Sequence, residues 1–248
     1  MKSELRFGGL SSSSLKFIAC VFMFIDHLGA IVFPEVVFLR IMGRLAFPIF
    51  AFFISEGSHY SKRPIKRIIT MLSFGIVFDF AYFIAIKEPS GNVFLVFGIS
   101  ALLIFILQKV KTALFEDIKT SLKIFYVLLF VLTVTAVFVL NSFYHFDYGF
   151  WGIITPVLVS LPDFENTKAP EKLKKYNTLA VKLCLLTVGL LLIMLNPYQQ
   201  WFQILAISAI ILLAFYNGKP GRKKSKYFFY VFYPTHILLL YLISVFIK

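Results

Sequence analysis

Long apolar runs separated by short polar clusters make up nearly the whole chain. Residues 15 to 33, 38 to 57, 66 to 86, 92 to 108, 122 to 141, 148 to 162, 179 to 196, 199 to 216 and 227 to 247 each form such a run. A helix of roughly 17 to 25 apolar residues crosses a bilayer. The pattern therefore predicts an all-α, polytopic transmembrane helix bundle of about nine spans. The sixth run is short and holds Pro156, so tilt, local bilayer thinning or a re-entrant piece is expected among the shorter runs. Asp26 and His27 interrupt the first run, which reads as a span and not as a cleaved signal peptide. The longest polar stretch, about 163 to 178, reads as a solvated linker. Residues 1–248 thus form a single integral membrane domain on this reading.

Composition narrows the classes further. Hydrophobic residues make up 59% of the chain and charged residues 15%, against about a quarter charged in soluble domains. A folded surface in water could not be solvated by so few charges, and disorder is excluded by the same count. With only Cys20 and Cys184 present, a disulfide-stapled secreted domain is excluded as well. The net charge of +13 invites a nucleic-acid reading, but the cations lie between the apolar runs. Of the 25 Lys and Arg, all but Arg40, Arg44, Lys87 and Lys248 fall on one side of a nine-span arrangement. The positive-inside rule then places the N-terminus in the cytoplasm, with the cations anchored beside anionic lipid and no nucleic acid as partner.

Chemistry is expected from what a membrane would otherwise exclude. An ionisable side chain at the centre of a span costs about 2.5 to 3.5 kcal/mol on insertion scales. The candidates are Asp26 and His27 in the first run, Arg44 and Glu56 in the second, Asp79 in the third and His236 in the ninth. His59, His145 and Asp147 lie near run edges. Lys16 and His27 share one helix stripe but stand about 16 Å apart along the axis, at about 1.5 Å per residue. Asp26 points about 100° away from His27, so a carboxylate orienting that imidazole would have to come from another span. Glu56 reads either as a catalytic carboxylate or as an interfacial partner of Lys62, Arg63, Lys66 and Arg67, a cluster that also suits the phosphates of a nucleotide cofactor. Tyr233 and His236 share one face of the last run. Interior histidines serve as hydrogen-bond bridges between helices or as proton carriers near neutral pH. No metal-ligand spacing is present.

The stretches LKFIACVFMFIDHLGA, LRIMGRLAFPIFAFFISEG, FDYGFWGII, and YNGKPGRKK leading into YFFYVFYPTHILLLYLI together resemble the TraX family of bacterial membrane proteins, named for the conjugation protein that acetylates the N-terminus of pilin. Lys16 to His27 is also similar to the basic-residue, ten-spacer, histidine signature of the wider integral membrane acyltransferase superfamily. The resemblance implies a multi-pass enzyme of the bacterial cytoplasmic membrane. It would take acetyl groups from cytosolic acetyl-CoA and deliver them to a pilin-like or envelope acceptor. It further implies that His27 stands at the superfamily's essential histidine and that Arg63 and Arg67 stand at its basic pair after the second span. Asp26, Arg44, Glu56 and His236 join His27 as candidate catalytic residues, and Lys16, Lys62, Arg63, Lys66 and Arg67 as candidate acetyl-CoA ligands. A secondary transporter with His27, Glu56 and Asp79 along a proton or solute path is the alternative, although no internal repeat of the kind such carriers show is visible.

Overall fold

Backbone N–H and C=O groups inside a bilayer have no water to bond, which leaves helices as the way to satisfy them within one segment. The computed structural model describes residues 9–87, 91–195, 201–221 and 226–247, with only the backbone described at 85, 86, 201, 226 and 227. Among these, every regular element is helical, apart from an isolated bridge between Leu10 and Tyr216. The elements are α1 (Ser12–Ile31), α2 (Val37–Gly43), α3 (Ala46–His59), α4 (Pro64–Ile86), α5 (Val93–Phe115), α6 (Thr120–Phe143), α7 (Gly149–Val159), α8 (Glu171–Lys174) and α9 (Leu179–Ile193). A 3-10 helix (Trp201–Ser208), α10 (Ala209–Ala214) and α11 (Lys226–Ile247) follow.

Local signals account for several of these boundaries. Ser11 caps α1 by accepting from the Ser14 N–H, Asn92 caps α5 through the Phe94 and Leu95 N–H groups, and Thr178 caps α9 through Val181. The second apolar run is broken at Arg44 and Leu45, between α2 and α3. Pro48 explains the position of the break, because its ring would meet the carbonyl four residues earlier, that of Arg44.

Six helical stretches are long and apolar enough to cross a membrane: Ser12–Ile31, Val37–His59, Pro64–Ile84, Val93–Phe115, Thr120–Phe143 and Phe228–Ile247. The expected sixth, seventh and eighth spans appear as the shorter apolar helices Gly149–Val159, Leu179–Ile193 and Phe202–Ala214. At about 1.5 Å per residue, 11 to 15 helical residues fall short of a core about 30 Å thick. The protein is a multi-pass, all-helical membrane protein. Only 6% of the α6 span is buried in the protein, and Leu132 and Phe138 on it are exposed apolar side chains that suit lipid.

Two compact units make up the chain. One combines Met1–Phe53 with Tyr198–Lys248. Within it α1 packs on α2 and α11, and the 3-10 helix packs on α2 and α10. The segment leading into α1 is laced to the segment before α11. Leu10 N donates to Phe215 O, Asn217 N to Leu10 O, Ser12 N to Lys219 O and the Ser13 hydroxyl to Pro220 O. Of the cations expected on the cytoplasmic side, Lys2, Arg6, Arg222, Lys223 and Lys224 lie outside the described residues.

The second unit is Ile54–Pro197. Its centre is α5, 61% buried over its span, which packs against α4, α6 and α7, while α7 packs on α9. Two sequence expectations are corrected here. The stretch from 163 to 178 is solvated only in part: Glu165, Asn166, Lys168 and Lys172 are exposed, but Asp163, Thr167 and Ala169 are buried and α8 forms within it. Lys111 and Lys182, read from the sequence as membrane-surface anchors, are buried as well. The reason is pairing. Lys111 Nζ donates to the carbonyls of Ser160, Leu161 and Asp163 at 2.8, 3.0 and 3.0 Å, and Lys182 meets Glu56. The bond to Asp163 O ties the start of the stretch to α5.

Candidate functional site

In the first unit, α1, α2, the 3-10 helix and α11 bring polar groups together in an apolar setting. α1 and α2 come closest where Gly43 faces Asp26: a Cβ on Gly43 would stand 2.2 Å from the Asp26 Cβ. Arg40 lies in the last turn of α2 and Arg44 caps its end, four residues or about one turn on. Both meet Asp26. Arg40 Nη1 lies 2.8 Å from Asp26 Oδ2 and 3.3 Å from its backbone oxygen, and Arg44 Nη2 lies 3.7 Å from Oδ1. Two cations around one carboxylate are how such charges persist inside a bundle.

Arg44 is held from its other side by Gln203, whose Oε1 accepts from Nη1 at 3.3 Å, and by Phe202, whose ring centroid is 5.2 Å from the guanidinium carbon. Arg44 Nε and Gln203 Nε2 are buried with no hydrogen-bond partner among the described residues. Two donors thus stand unused beside the Asp26 pair.

Next to Asp26, His27 meets His236. The Nε2 of His236 lies 3.1 Å from the Nδ1 of His27, and the ring centroids are 4.9 Å apart. Their partners assign the protons. His236 Nδ1 lies 2.7 Å from Phe232 O, an acceptor only, so in the neutral ring this nitrogen carries the hydrogen and Nε2 the lone pair. His27 Nδ1 must then be the N–H, shared between Met23 O at 2.9 Å and His236 Nε2. The lone pair of His27 therefore sits on Nε2, for which no partner occurs among the described residues. Aromatic rings fix the orientation. Phe232 stacks on His236 at 4.6 Å, and Tyr233 stands edge-on to both imidazoles.

The structure thus brings Asp26, His27, Arg44 and His236 into one unit, together with Arg40 and Gln203, which the sequence reasoning did not place in the site. The expectation of an orienting carboxylate for His27 is corrected: its partners are a backbone carbonyl and a second imidazole, because Asp26 is taken up by the two arginines. Gln203 was missed because an uncharged amide in an aromatic stretch carries little signal. The available hint was a polar side chain within WFQIL. Lys16 lies in the same unit, its Nζ 5.0 Å from the Phe53 ring centroid and 6.0 Å from that of Phe229.

Glu56 belongs to the second unit and pairs with Lys182, not with the cluster from Lys62 to Arg67 as its interfacial reading expected. Lys182 is itself buried on α9, where a partner of opposite charge is required. Lys62, Arg63 and Lys66 are exposed, whereas Arg67 donates to the Ser58 hydroxyl and to Ile54 O, both at 3.1 Å. His59 lies between two carboxylates, Nδ1 toward Asp163 and Nε2 toward Glu165. A cavity of about 210 Å³ in this unit is lined by His59, Arg67, Gln108 and Lys109 among others, and neither His27 nor His236 lines it. Asp79 accepts from the Tyr144 hydroxyl and from the Gly91 N–H. Burial first, and the Asp79 carboxylate second, push the Tyr144 hydroxyl above the usual phenol range.

Comparison with known proteins gives these residues a family context. A 74-residue stretch is 36% identical to the Uncharacterized protein RP591 of Rickettsia prowazekii (strain Madrid E), covering 30% of this chain and 28% of that one. Over 258 residues the chain is 28% identical to the Probable fimbrial assembly protein FimC, serogroup H1, of Dichelobacter nodosus, covering 93% of this chain and 94% of the relative. No solved structure matches. The sequence profile described as TraX protein matches residues 11–244, which takes in every candidate catalytic residue, and the chain belongs to the TraX family.

Proposed function

We propose that the protein is an acetyltransferase of the bacterial cytoplasmic membrane. It moves an acetyl group from cytosolic acetyl-CoA to an amine or hydroxyl of a pilin-like or envelope acceptor. One observation carries the reading: the His27–His236 pair, whose backbone partners leave a lone pair on His27 Nε2. A permanently oriented neutral imidazole is the group that general-base acyl transfer requires. The relative named for fimbrial assembly supports an acceptor of the pilin class.

In this mechanism His27 Nε2 takes the proton from the acceptor N–H or O–H as that atom attacks the thioester carbonyl. The carbonyl oxygen gains negative charge, the C–S bond then breaks, and the proton passes from His27 to the departing thiolate. His236 accepts the hydrogen bond of the His27 Nδ1–H and steadies the imidazolium formed in between. Arg44, anchored by Asp26 and Gln203, offers its buried Nε–H to the developing oxyanion. With the N-terminus in the cytoplasm, Lys16 and the basic residues around Arg63 lie on the side from which acetyl-CoA arrives, where its phosphates would dock. Purified protein supplied with labelled acetyl-CoA and acceptor tests this: His27→Ala should lower transfer by roughly 10²- to 10⁴-fold. Unchanged turnover removes His27 from the chemistry.

A further inference from the structure

The proton transfer at His27 makes no use of the cavity in the second unit, although Arg67 on its wall is among the candidate acetyl-CoA ligands. At about 210 Å³ it is below the range of roughly 300 to 1,000 Å³ that whole ligands of drug size occupy, so it suits a headgroup or a fragment of a larger molecule. Its wall carries the cations Arg67 and Lys109, the hydroxyls of Ser58 and Ser61, and the amide of Gln108. No carboxylate lines it. Asp163 and Glu165 are drawn to the two ring nitrogens of His59, which does line it, and Asp163 Oδ2 also accepts from the Gln108 amide at 3.4 Å. Pro64, also on the wall, is the first residue of the 23-residue helix α4, and Arg63 before it supplies no side-chain cap. The unpaired N–H groups of the first turn of α4 therefore lie at this end, where they favour an anion.

We infer that this cavity binds a phosphate ester. Its donors are cationic or neutral, its two neighbouring carboxylates are engaged by the ring nitrogens of His59, and a helix N-terminus meets it. The cavity lies where the span ending at His59 turns into the span beginning at Pro64, so it sits at a membrane surface. Two sources of the ester reach such a place: the headgroup of an anionic phospholipid and the phosphates of a soluble nucleotide. If the ester is that of the acyl donor, the assignment of the donor rests on the proposed acetyl transfer, but phosphate binding as such does not.

The test uses full-length protein in nanodiscs of zwitterionic lipid. One arm titrates adenosine 3′,5′-bisphosphate, which has neither thiol nor acetyl group and so reads binding without turnover. The other titrates phosphatidylglycerol into the discs and reads lipid retention by native mass spectrometry. Lys109→Ala alters an exposed side chain, and Ser61→Asp places a negative charge on the wall; unchanged thermal midpoints establish that both variants fold. Binding in at least one arm, weakened roughly tenfold by Lys109→Ala and at least as much by Ser61→Asp, is expected. The responding arm identifies the source. Binding in neither arm, or binding that both variants leave unchanged, overturns the inference. A His27→Ala protein that still transfers acetyl sinks the acyl-transfer reading alone. Transfer that persists while neither probe senses Lys109 or Ser61 sinks this one alone.

Discussion

His236 follows His27 by 209 residues, yet its Nε2 lies 3.1 Å from the Nδ1 of His27. The two rings are bonded in series: Phe232 O orients His236, whose Nε2 accepts from His27 Nδ1, which leaves the His27 lone pair on Nε2. Replacing His236 with Phe removes the acceptor but leaves Met23 O to hold the His27 Nδ1–H. Turnover is therefore expected to fall in His236→Phe, but by less than in His27→Ala. The double variant should be no slower than His27→Ala alone, because residues that act as one unit do not add. Rates of acetyl transfer for the three proteins check this.

Gly43 sets the distance between α1 and α2. Its replacement by Ala puts a methyl group against the Asp26 side chain and backbone, so one of the helices must move. A loss of about 1 to 3 kcal/mol, typical of overpacking, is expected. It should appear as a lower thermal midpoint in detergent, together with a loss of activity as Arg40 and Arg44 are drawn away from Asp26.

Glu56 and Lys182 form a buried ion pair. Removing one member leaves the other charged in an apolar setting, and Glu56→Leu or Lys182→Met alone should cost about 3 to 5 kcal/mol. The double replacement should recover most of that loss. Denaturation of the two single variants and the double variant measures the coupling, and acetyl transfer by the double variant reports whether Glu56 has any role in the chemistry.

The hydrogen bond from Tyr144 to Asp79 has a defined pH range. Because the folded state raises the Tyr144 ionisation, its contribution is fully present below the ordinary phenol value of about 10 and is lost as the pH rises through the folded value. Between pH 6 and 9 stability should not depend on this group. Tyr144→Phe should cost about 0.5 to 1.5 kcal/mol there and should remove the corresponding part of any alkaline decline in the thermal midpoint.

The helical fold could be read from apolar runs because lipid imposes the same demand on every segment. Span length was less legible: Gly149–Val159 is shorter than its run suggested, and the sequence could not say that such a helix would pack against α5 and α9. Individual candidate residues could be picked out by their expense in a membrane, as with His27, Arg44 and His236. Their grouping was not, since nothing in a linear pattern links positions two hundred residues apart. Lys111 and Lys182 misled for a related reason. A cation near a helix end has the same signal whether it faces water or caps buried carbonyls.

The first unit is sewn together from two stretches far apart in sequence, Leu10 to Tyr216 and α1 to α11. A ribosome delivers those two stretches at different moments. His27 is made early and waits, without its companion ring, until α11 has emerged and threaded into the bilayer. Copies that stop short of α11 consequently lack the paired imidazoles, and nothing that needs both rings can begin before that helix is in place.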